Sequence, residues 1–372
     1  MAGASAAYEL AAHGTVLLLE AESTTGYHAT GRSAALFTRN YGSPIVRDVN
    51  AASSPFFQSP PAGFCETPLL TPRGSLTVAP RGHEGGLDDL LALSEPGEEV
   101  CPISPKAACE MVPFLRPDRV GYAVFEANVT DIDGANLHLS YLKGAKARGA
   151  VILTKQPVAA MSRHAGVWKV QTSNDTHSAA KIINAAGAWA DKIGDLVGAR
   201  SIGLVPKRRT AIIINAPAGL QCAGLPAVDF AGSGAYIKPE AGKLMASPGD
   251  ACPADPHDAW ADDMDIAVFA DWIEHETTIK VEKIEHSWAG LRSFVSDEAP
   301  VVGFDTDVEG FFWLAGQGGF GIMMAPALAV LTAELCTQTS ATTNNHFATA
   351  LSPARLVQSP HQTDQPAFGD AL

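Results

Sequence analysis

The sequence has no Cys-x-x-Cys pair. Its six cysteines, at 65, 101, 109, 222, 252 and 336, stand apart from one another and from any cluster of histidines. That spacing excludes the common zinc and disulfide frameworks and fits reduced thiols of a cytosolic protein. Positive charge is scarce as well: 26 Lys and Arg face 40 Asp and Glu, a net charge of −14. Nucleic acid is therefore not expected as a partner, because phosphate backbones are held by clustered Lys and Arg. No apolar run is long enough to span a membrane; the longest, 321–335, is interrupted by Pro326 and Glu334. The first residues also lack the basic stretch of a signal peptide. What the chain does have is apolar material, 46% of 372 residues against 18% charged, which suits two domains, or one large domain with insertions, and not disorder. A soluble, acidic, cytoplasmic globular protein is expected.

Along the chain, the hydrophobic period switches between helix and strand. Residues 4–13 carry small and apolar side chains at helical spacing, closed by Gly14, and 15–19 is a short apolar run of the buried parallel-strand kind, ending at Glu20. Residues 21–42 predict a loop leading into a helix, and the frequent Pro and Gly of 53–82 predict only short irregular pieces. Asp133 is placed to cap a helix that stops at Gly149. Segments 151–154 and 167–172 are expected to form a hairpin, and 181–187 a strand entering a small-residue turn before the helix 189–197. Further on, 211–215, 235–238 and 278–283 are β-like and 264–275 is helical, while 311–314 leads through a glycine-rich turn into the helix 322–336. After about residue 340 a frayed tail is predicted. The fold class is α/β: a nucleotide-binding domain assembled from separate segments, plus a mixed-sheet second domain.

Three glycine-containing turns carry the chemistry. A dinucleotide fingerprint needs a strand, G-x-G-x-x-G, a helix and an acidic residue for the ribose. Gly3 can be the third glycine, 4–13 the helix and Glu20 the ribose acceptor; a plain helix–turn–strand fits this piece equally. The strand and the first two glycines would precede Met1, so roughly 12 further residues upstream are expected, an apolar strand ending in Gly-x-Gly. Asn184-Ala-Ala-Gly-Ala-Trp189 follows an apolar strand, where small residues either admit a ligand to the backbone or make a tight turn. Gly316-Gln-Gly-Gly-Phe-Gly321 has four glycines in six positions, more than a turn needs, before a long apolar helix with its positive end forward. His275-Glu276 lacks the second His of a zinc helix, and 131–134 lacks the other ligands of a calcium loop, so no metal is expected.

The blocks GASAAYELAAHG, GYHATGRSAALFTRNYG, PPAGFCETPLLTPR, VPKRR, INAAGAWAD, HSWAGLRSF and FFWLAGQGGFGI, with SPARL near 352, follow one another in consistent order. On these blocks the chain resembles the D-amino-acid oxidase superfamily of FAD-dependent amine oxidoreductases, most closely the bacterial D-arginine dehydrogenases. The resemblance implies a Rossmann-like, glutathione-reductase-like FAD-binding domain without its first strand (1–71, 132–208 and 286–340). It also implies a mixed-sheet α+β substrate domain (72–131 and 209–285) and a tail, 341–372. By the same resemblance Gly3, Glu20, Thr30, Arg32, Ser33, Ala34, Val158, Ala186, Gly187, Gly318, Gly319, Phe320, Gly321 and Ile322 would touch FAD. Arg209 and Arg292 would bind the substrate carboxylate with Tyr41 and Tyr236, and Gly319 would present its carbonyl near the amine. The residue types suit this, since arginine grips a planar carboxylate bidentately and a phenol adds a donor. Arg292 lies between Gly290-Leu291 and Ser293-Phe294, an apolar setting that calls for a charge partner. Arg209 has basic neighbours, Lys207 and Arg208, and which of the three points inward stays open. His28, in the loop near the expected flavin, is a candidate for covalent attachment.

The implied reaction is hydride transfer from the substrate Cα to flavin N5, with the imino acid hydrolysing to a 2-oxo acid and ammonia. The cofactor does the chemistry, the helix beginning near Gly321 stabilises the reduced anion, and no side chain need act as a strong base. The electron acceptor stays open between a quinone, a carrier protein and oxygen. Two alternatives remain: oxidation of a sarcosine-like secondary amine or a 2-hydroxy acid, and a truncated chain that no longer binds flavin. The side-chain pocket departs from D-arginine dehydrogenases, whose glutamate after PLL-x-PR is here Ser75 and whose His-Tyr-Thr is Leu36-Phe37-Thr38. A guanidinium without a carboxylate partner is costly to bury. Apolar or neutral D-amino acids such as methionine, leucine and phenylalanine are therefore expected over D-arginine and D-lysine, unless Glu66 or Asp229 compensates.

Overall fold

Alternation within the strand Val205–Ile214 puts Ile212 and Ile214 in the core and Lys207, Arg209 and Ala211 on the opposite face. The computed structural model, which describes residues 1–83, 85–94, 100–337 and 345–357, extends this split across a nine-stranded mixed sheet. Its order is Cys252–Pro253, Val205–Ile214, Lys243–Ser247, Tyr236–Glu240, Ala227–Phe230, Ser75–Ala79, Tyr122–Glu126 and Val100–Ile103, with Ile284–Phe294 also paired to Val205–Ile214. The core face gathers Leu76, Val228, Ile237, Leu244 and Ala246, and the helices Pro105–Met111 and Asp263–Glu276 cover it through Ala108, Phe269 and Ile273.

Register determines what the other face carries. Arg292 stands opposite Lys207, Met245 opposite both Ile213 and Lys238, Asp229 opposite Tyr236 and Thr77, and Glu126 opposite Ser75. Side chains two apart share a face, so Arg292, Arg209, Tyr236, Asp229, Ser75 and Glu126 all project to the same side.

The remaining strands form smaller sheets. Leu17–Leu19 pairs in parallel with Val151–Leu153, and Ile182–Asn184 with Phe311–Ala315, whose other neighbour is Val301–Phe304. The helices Ala2–Leu10, Pro44–Gln58, Gly134–Ala147 and Gly321–Thr337 pack around them in one apolar core. Gly321–Thr337 is apolar on nearly every side and is buried accordingly. None of the described helices is long and apolar enough to cross a membrane.

The α/β class agrees with the sequence; several local expectations do not. Val151–Leu153 is not half of a hairpin with Val167–Thr172. The hairpin partner is Val158–His164, through a turn at Ala165 and Gly166, whose φ values of +48° and +81° suit a tight two-residue turn. Leu17 is 39% exposed, so the first strand is only partly buried. Within 53–82, expected to be irregular, the helix Pro44–Gln58 continues past Pro55, and Ser75–Ala79 is an inner strand of the large sheet. Residues 278–283 form no ladder, because other partners take their amides: Thr278 N–H donates to the Phe114 carbonyl and Val281 N–H to Glu274 Oε1. The strand follows instead, at Ile284–Phe294. It crosses the boundary expected at 285/286, as Val205–Ile214 crosses that at 208/209. In the expected tail, Asn345–Ala350 is helical, Leu351 is fully buried with its carbonyl accepting from Val302 N–H, and Arg355 pairs with Asp297 at 2.7 Å. Residues 338–344 and 358–372 lie outside the described part.

Gly144 marks a close helix–helix approach: a Cβ there would lie 2.5 Å from Tyr8 Cε2, on a ring that is 5% exposed. Gly144→Ala should therefore lower stability by about 1–3 kcal/mol, overpacking outweighing the gain in helix propensity. Urea unfolding at an unchanged slope reads it, and an unchanged midpoint would contradict the packing. A second outcome concerns His138, which is 8% exposed. Burial, and after it the nearby amino-terminal ammonium, pulls its pKa from 6.5 to about 4. The unfolded chain takes up this proton first, so the stability held by neutral His138 is complete above 6.5 and drains as pH falls toward 4. His138→Gln should flatten the stability–pH curve over that window; an identical curve would place the titration elsewhere.

Candidate active site

The strand pairing resolves the run Lys207-Arg208-Arg209. Arg208 turns to the acids Asp265 and Asp250, and Lys207 sits over the Phe294 ring at 5.0 Å. Arg209 points along the polar sheet face and is only partly accessible, its Nε without a hydrogen-bond partner. Burial, then the like charge of Arg292, lowers its pKa, while Tyr41, Tyr236 and Asp250 oppose the shift. Arg209 is thus within electrostatic reach of Arg292, Tyr41 and Tyr236, the three residues named with it in the sequence. Arg292 lies flat against the glycine-rich turn: a Cβ on Gly319 would meet its Nη1 at 3.0 Å, and Gly318 N–H donates to the Ser293 carbonyl at 2.9 Å. Phe320 continues the wall, with its ring 4.9 Å from that of Tyr41. Neither Arg209 nor Arg292 makes an ion pair among the described residues.

The residues expected at FAD extend away from this point. A Cβ on Gly3 would meet Leu18 at 3.2 Å and Ala185, next to Ala186, at 3.6 Å. No side chain caps the helix Ala2–Leu10, and at its start the Met1 ammonium donates to Thr30 Oγ1 at 2.8 Å. Burial pulls that amine to a pKa of about 6, against the pull of Glu20. Glu20 Oε1 accepts the Glu22 N–H, and the Glu20 carbonyl accepts from Gln156 N–H, which brings the start of Val158–His164 close. Ala35, beside Ala34, and Ile322 flank Gly134, where a Cβ would meet them at 3.6 and 3.3 Å. Gly187 has φ +57° and nothing within 4 Å of where a Cβ would stand, and the Gln317 Nε2 is buried without a partner. An uncapped helix start, a free-sided glycine, an orphaned amide and an acid at a strand end suit an extended anionic ligand with a ribose near Glu20. These residues fit FAD.

Two expected residues are otherwise engaged. The Arg32 guanidinium pairs with Asp258 at 2.5 Å and donates to the Ala259 and Ala289 carbonyls, so its side chain ties the loop to the large sheet. Ser33 is exposed. His28 Nε2 pairs with Glu22 at 3.0 Å, and its ring packs on Trp189. Of the residues expected to line a side-chain pocket, Leu36 is half-buried, and its neighbour Phe37 is buried against Phe57. Ser75 is 5% exposed and donates to Asp229 Oδ2 at 2.9 Å, whereas Glu66 lies on the surface with Lys143. Sequence reasoning missed Glu126, which accepts from Asn40 Nδ2 at 2.7 Å and steadies the loop carrying Tyr41. It also missed Asp250, which accepts from the Thr210 amide and hydroxyl beside Arg209. Only the ladder register could have signalled either.

The chain is similar to known proteins along most of its length. The glycine oxidase of Geobacillus kaustophilus is 26% identical over 247 residues, covering 64% of this chain and 62% of its own length. Human dimethylglycine dehydrogenase is 32% identical over 97 residues, 26% of this chain and 11% of that protein. The solved structure of the Geobacillus glycine oxidase superposes with a TM-score of 0.79 at 22% identity, covering 93% of this chain and 95% of that one. An L-alpha-glycerophosphate oxidase from Mycoplasma pneumoniae, solved with FAD bound, superposes at 0.81 with 17% identity, covering 90% and 92%. The family model described as DAO, FAD dependent oxidoreductase, matches residues 1–335. With the glycine turns and the paired arginines in place along that same stretch, the chain belongs to the DAO family of FAD-dependent oxidoreductases and takes FAD as its cofactor.

Proposed function

We propose that the protein is a dehydrogenase that oxidises D-amino acids at the Cα–N bond. The observation that carries this reading is the meeting of Arg209 and Arg292 on one sheet face, two guanidinium groups that repel each other and make no ion pair among the described residues. An α-carboxylate supplies the missing charge, and Tyr41 and Tyr236 add phenol donors beside it. With the carboxylate anchored, the Gly319 carbonyl can accept from the amine, which orients the Cα hydrogen. FAD, when bound, would supply the two-electron acceptor for the Cα hydrogen leaving as a hydride equivalent. The helix Gly321–Thr337 turns its positive end toward the same turn and favours the negative charge that develops there. Water hydrolyses the released imino acid to a 2-oxo acid and ammonia. The resemblance of the sequence blocks to those of D-arginine dehydrogenases supports the D enantiomer. The names of the relatives, glycine oxidase and dimethylglycine dehydrogenase, support an amine next to a carboxylate.

The absorption spectrum of the purified protein, before and after anaerobic addition of D- and L-amino acids, glycine and sarcosine, tests the reading. A flavin spectrum bleached by D-amino acids is expected; bleaching by L-amino acids or sarcosine alone would overturn it. Arg292→Met keeps the volume and removes the charge, and should cost about 2–5 kcal/mol of carboxylate binding, a rise in KM of ~30-fold or more. Flavin content should be retained. A KM near that of the unmodified protein would assign the carboxylate elsewhere.

A further inference from the structure

The polar face of the large sheet carries an acid that the oxidation chemistry does not use. Asp229 stands directly opposite Tyr236 and accepts the Ser75 hydroxyl at 2.9 Å. Among the described residues that is its single charge-stabilising contact: burial raises its pKa, Ser75 opposes, and no cation contributes. It still keeps part of its surface accessible, as a group in the wall of a recess would. The nearby cations are already matched. Lys238 bridges Asp131 and Glu240, each at 3.0 Å, and Arg73 pairs with Asp131. The other acid on this face, Glu126, is held by Asn40.

Among the described residues, one sheet face thus bears two arginines without an ion pair, Arg209 and Arg292, and an acid without a cation partner, Asp229. Three strand spacings, roughly 14 Å, separate the Arg209 strand from the Asp229 strand, and Tyr236, on the strand next to Asp229, is within electrostatic reach of Arg209. A carboxylate without a cation in such a setting is costly, and a ligand cation offsets the cost. We propose that Asp229, oriented by Ser75, recognises the substrate side chain and selects one ending in an ammonium or guanidinium group. This rests on the assignment of the α-carboxylate to Arg209 and Arg292. It reverses the apolar preference that Ser75 alone suggests, because the acid stands on the neighbouring strand instead.

Unreactive ligands test this without turnover. 6-Aminohexanoate and hexanoate share a carboxylate and chain length, lack an α-amine and differ only at the far end. Calorimetric titration of the FAD-loaded protein should show 6-aminohexanoate binding about tenfold tighter or more. Asp229→Asn, which keeps the shape and the Ser75 contact, should abolish the difference, and Ser75→Ala should narrow it. With oxidisable substrates, the kcat/KM ratio of D-lysine to D-norleucine should fall in the same order. Equal binding by the unmodified protein, or a preference that survives Asp229→Asn, overturns the proposal. Arg292→Met should weaken both ligands together. If it weakens neither, the carboxylate assignment fails, a result distinct from loss of the terminal-amine preference.

Discussion

Register between Val205–Ile214 and Ile284–Phe294 decides what this molecule can present to a ligand. A slip of one residue in either strand would turn its arginine toward the helices and its apolar residues outward. Such a slip would bury an unpaired guanidinium where Ile212 and Ile214 now sit, a cost of several kcal/mol, and would forfeit the burial of those side chains. The apolar face therefore enforces the geometry of the polar one. Stability and recognition are two readings of one alternating pattern.

The loop near the expected flavin is tied to the same ladder from the other side. Arg32 packs over Gly290, the residue opposite Arg209, with its Cβ 3.5 Å from where a Gly290 side chain would begin. It is fixed by Asp258 and two backbone carbonyls, while its own carbonyl accepts from Trp288 Nε1 at 3.1 Å. Tyr27 adds a bond to Asp258 at 2.9 Å. A charge with this many partners in a half-buried place is well compensated, in contrast to Arg209, whose Nε has none. The contrast separates an arginine that holds structure together from one to which a ligand-binding role is proposed.

The elements legible in the sequence were those whose signal is local. The cap at Asp133 accepts from Asn136 N–H as its position implied, and the glycine turn before 322 does lead into a buried apolar helix. Glycine spacing and shared blocks carried the cofactor class. What the sequence concealed depended on partners distant in the chain. Val151–Leu153 looked like one arm of a hairpin because an apolar run does not name its neighbour, and its neighbour is Leu17–Leu19. Ser75 read as the loss of an acid because Asp229 lies 154 residues away and becomes its partner only when the parallel pairing of Ser75–Ala79 with Ala227–Phe230 forms. Lys207, Arg208 and Arg209 were indistinguishable until alternation was anchored by a partner strand.

The contact between Leu351 and Val302 has a bearing on how the protein avoids sticking to itself. Val301–Phe304 is the outer strand of its small sheet, and Val301, Val302 and Gly303 are buried. An apolar edge of this kind, left open, is a template for intermolecular strand addition and aggregation. Here Leu351 occupies the amide of Val302, Pro353 lies across Gly303, and the Arg355–Asp297 pair pins the segment at its end. Proline cannot donate the bond that would continue a ladder. The segment 345–357 therefore works as a built-in blocker of β-polymerisation.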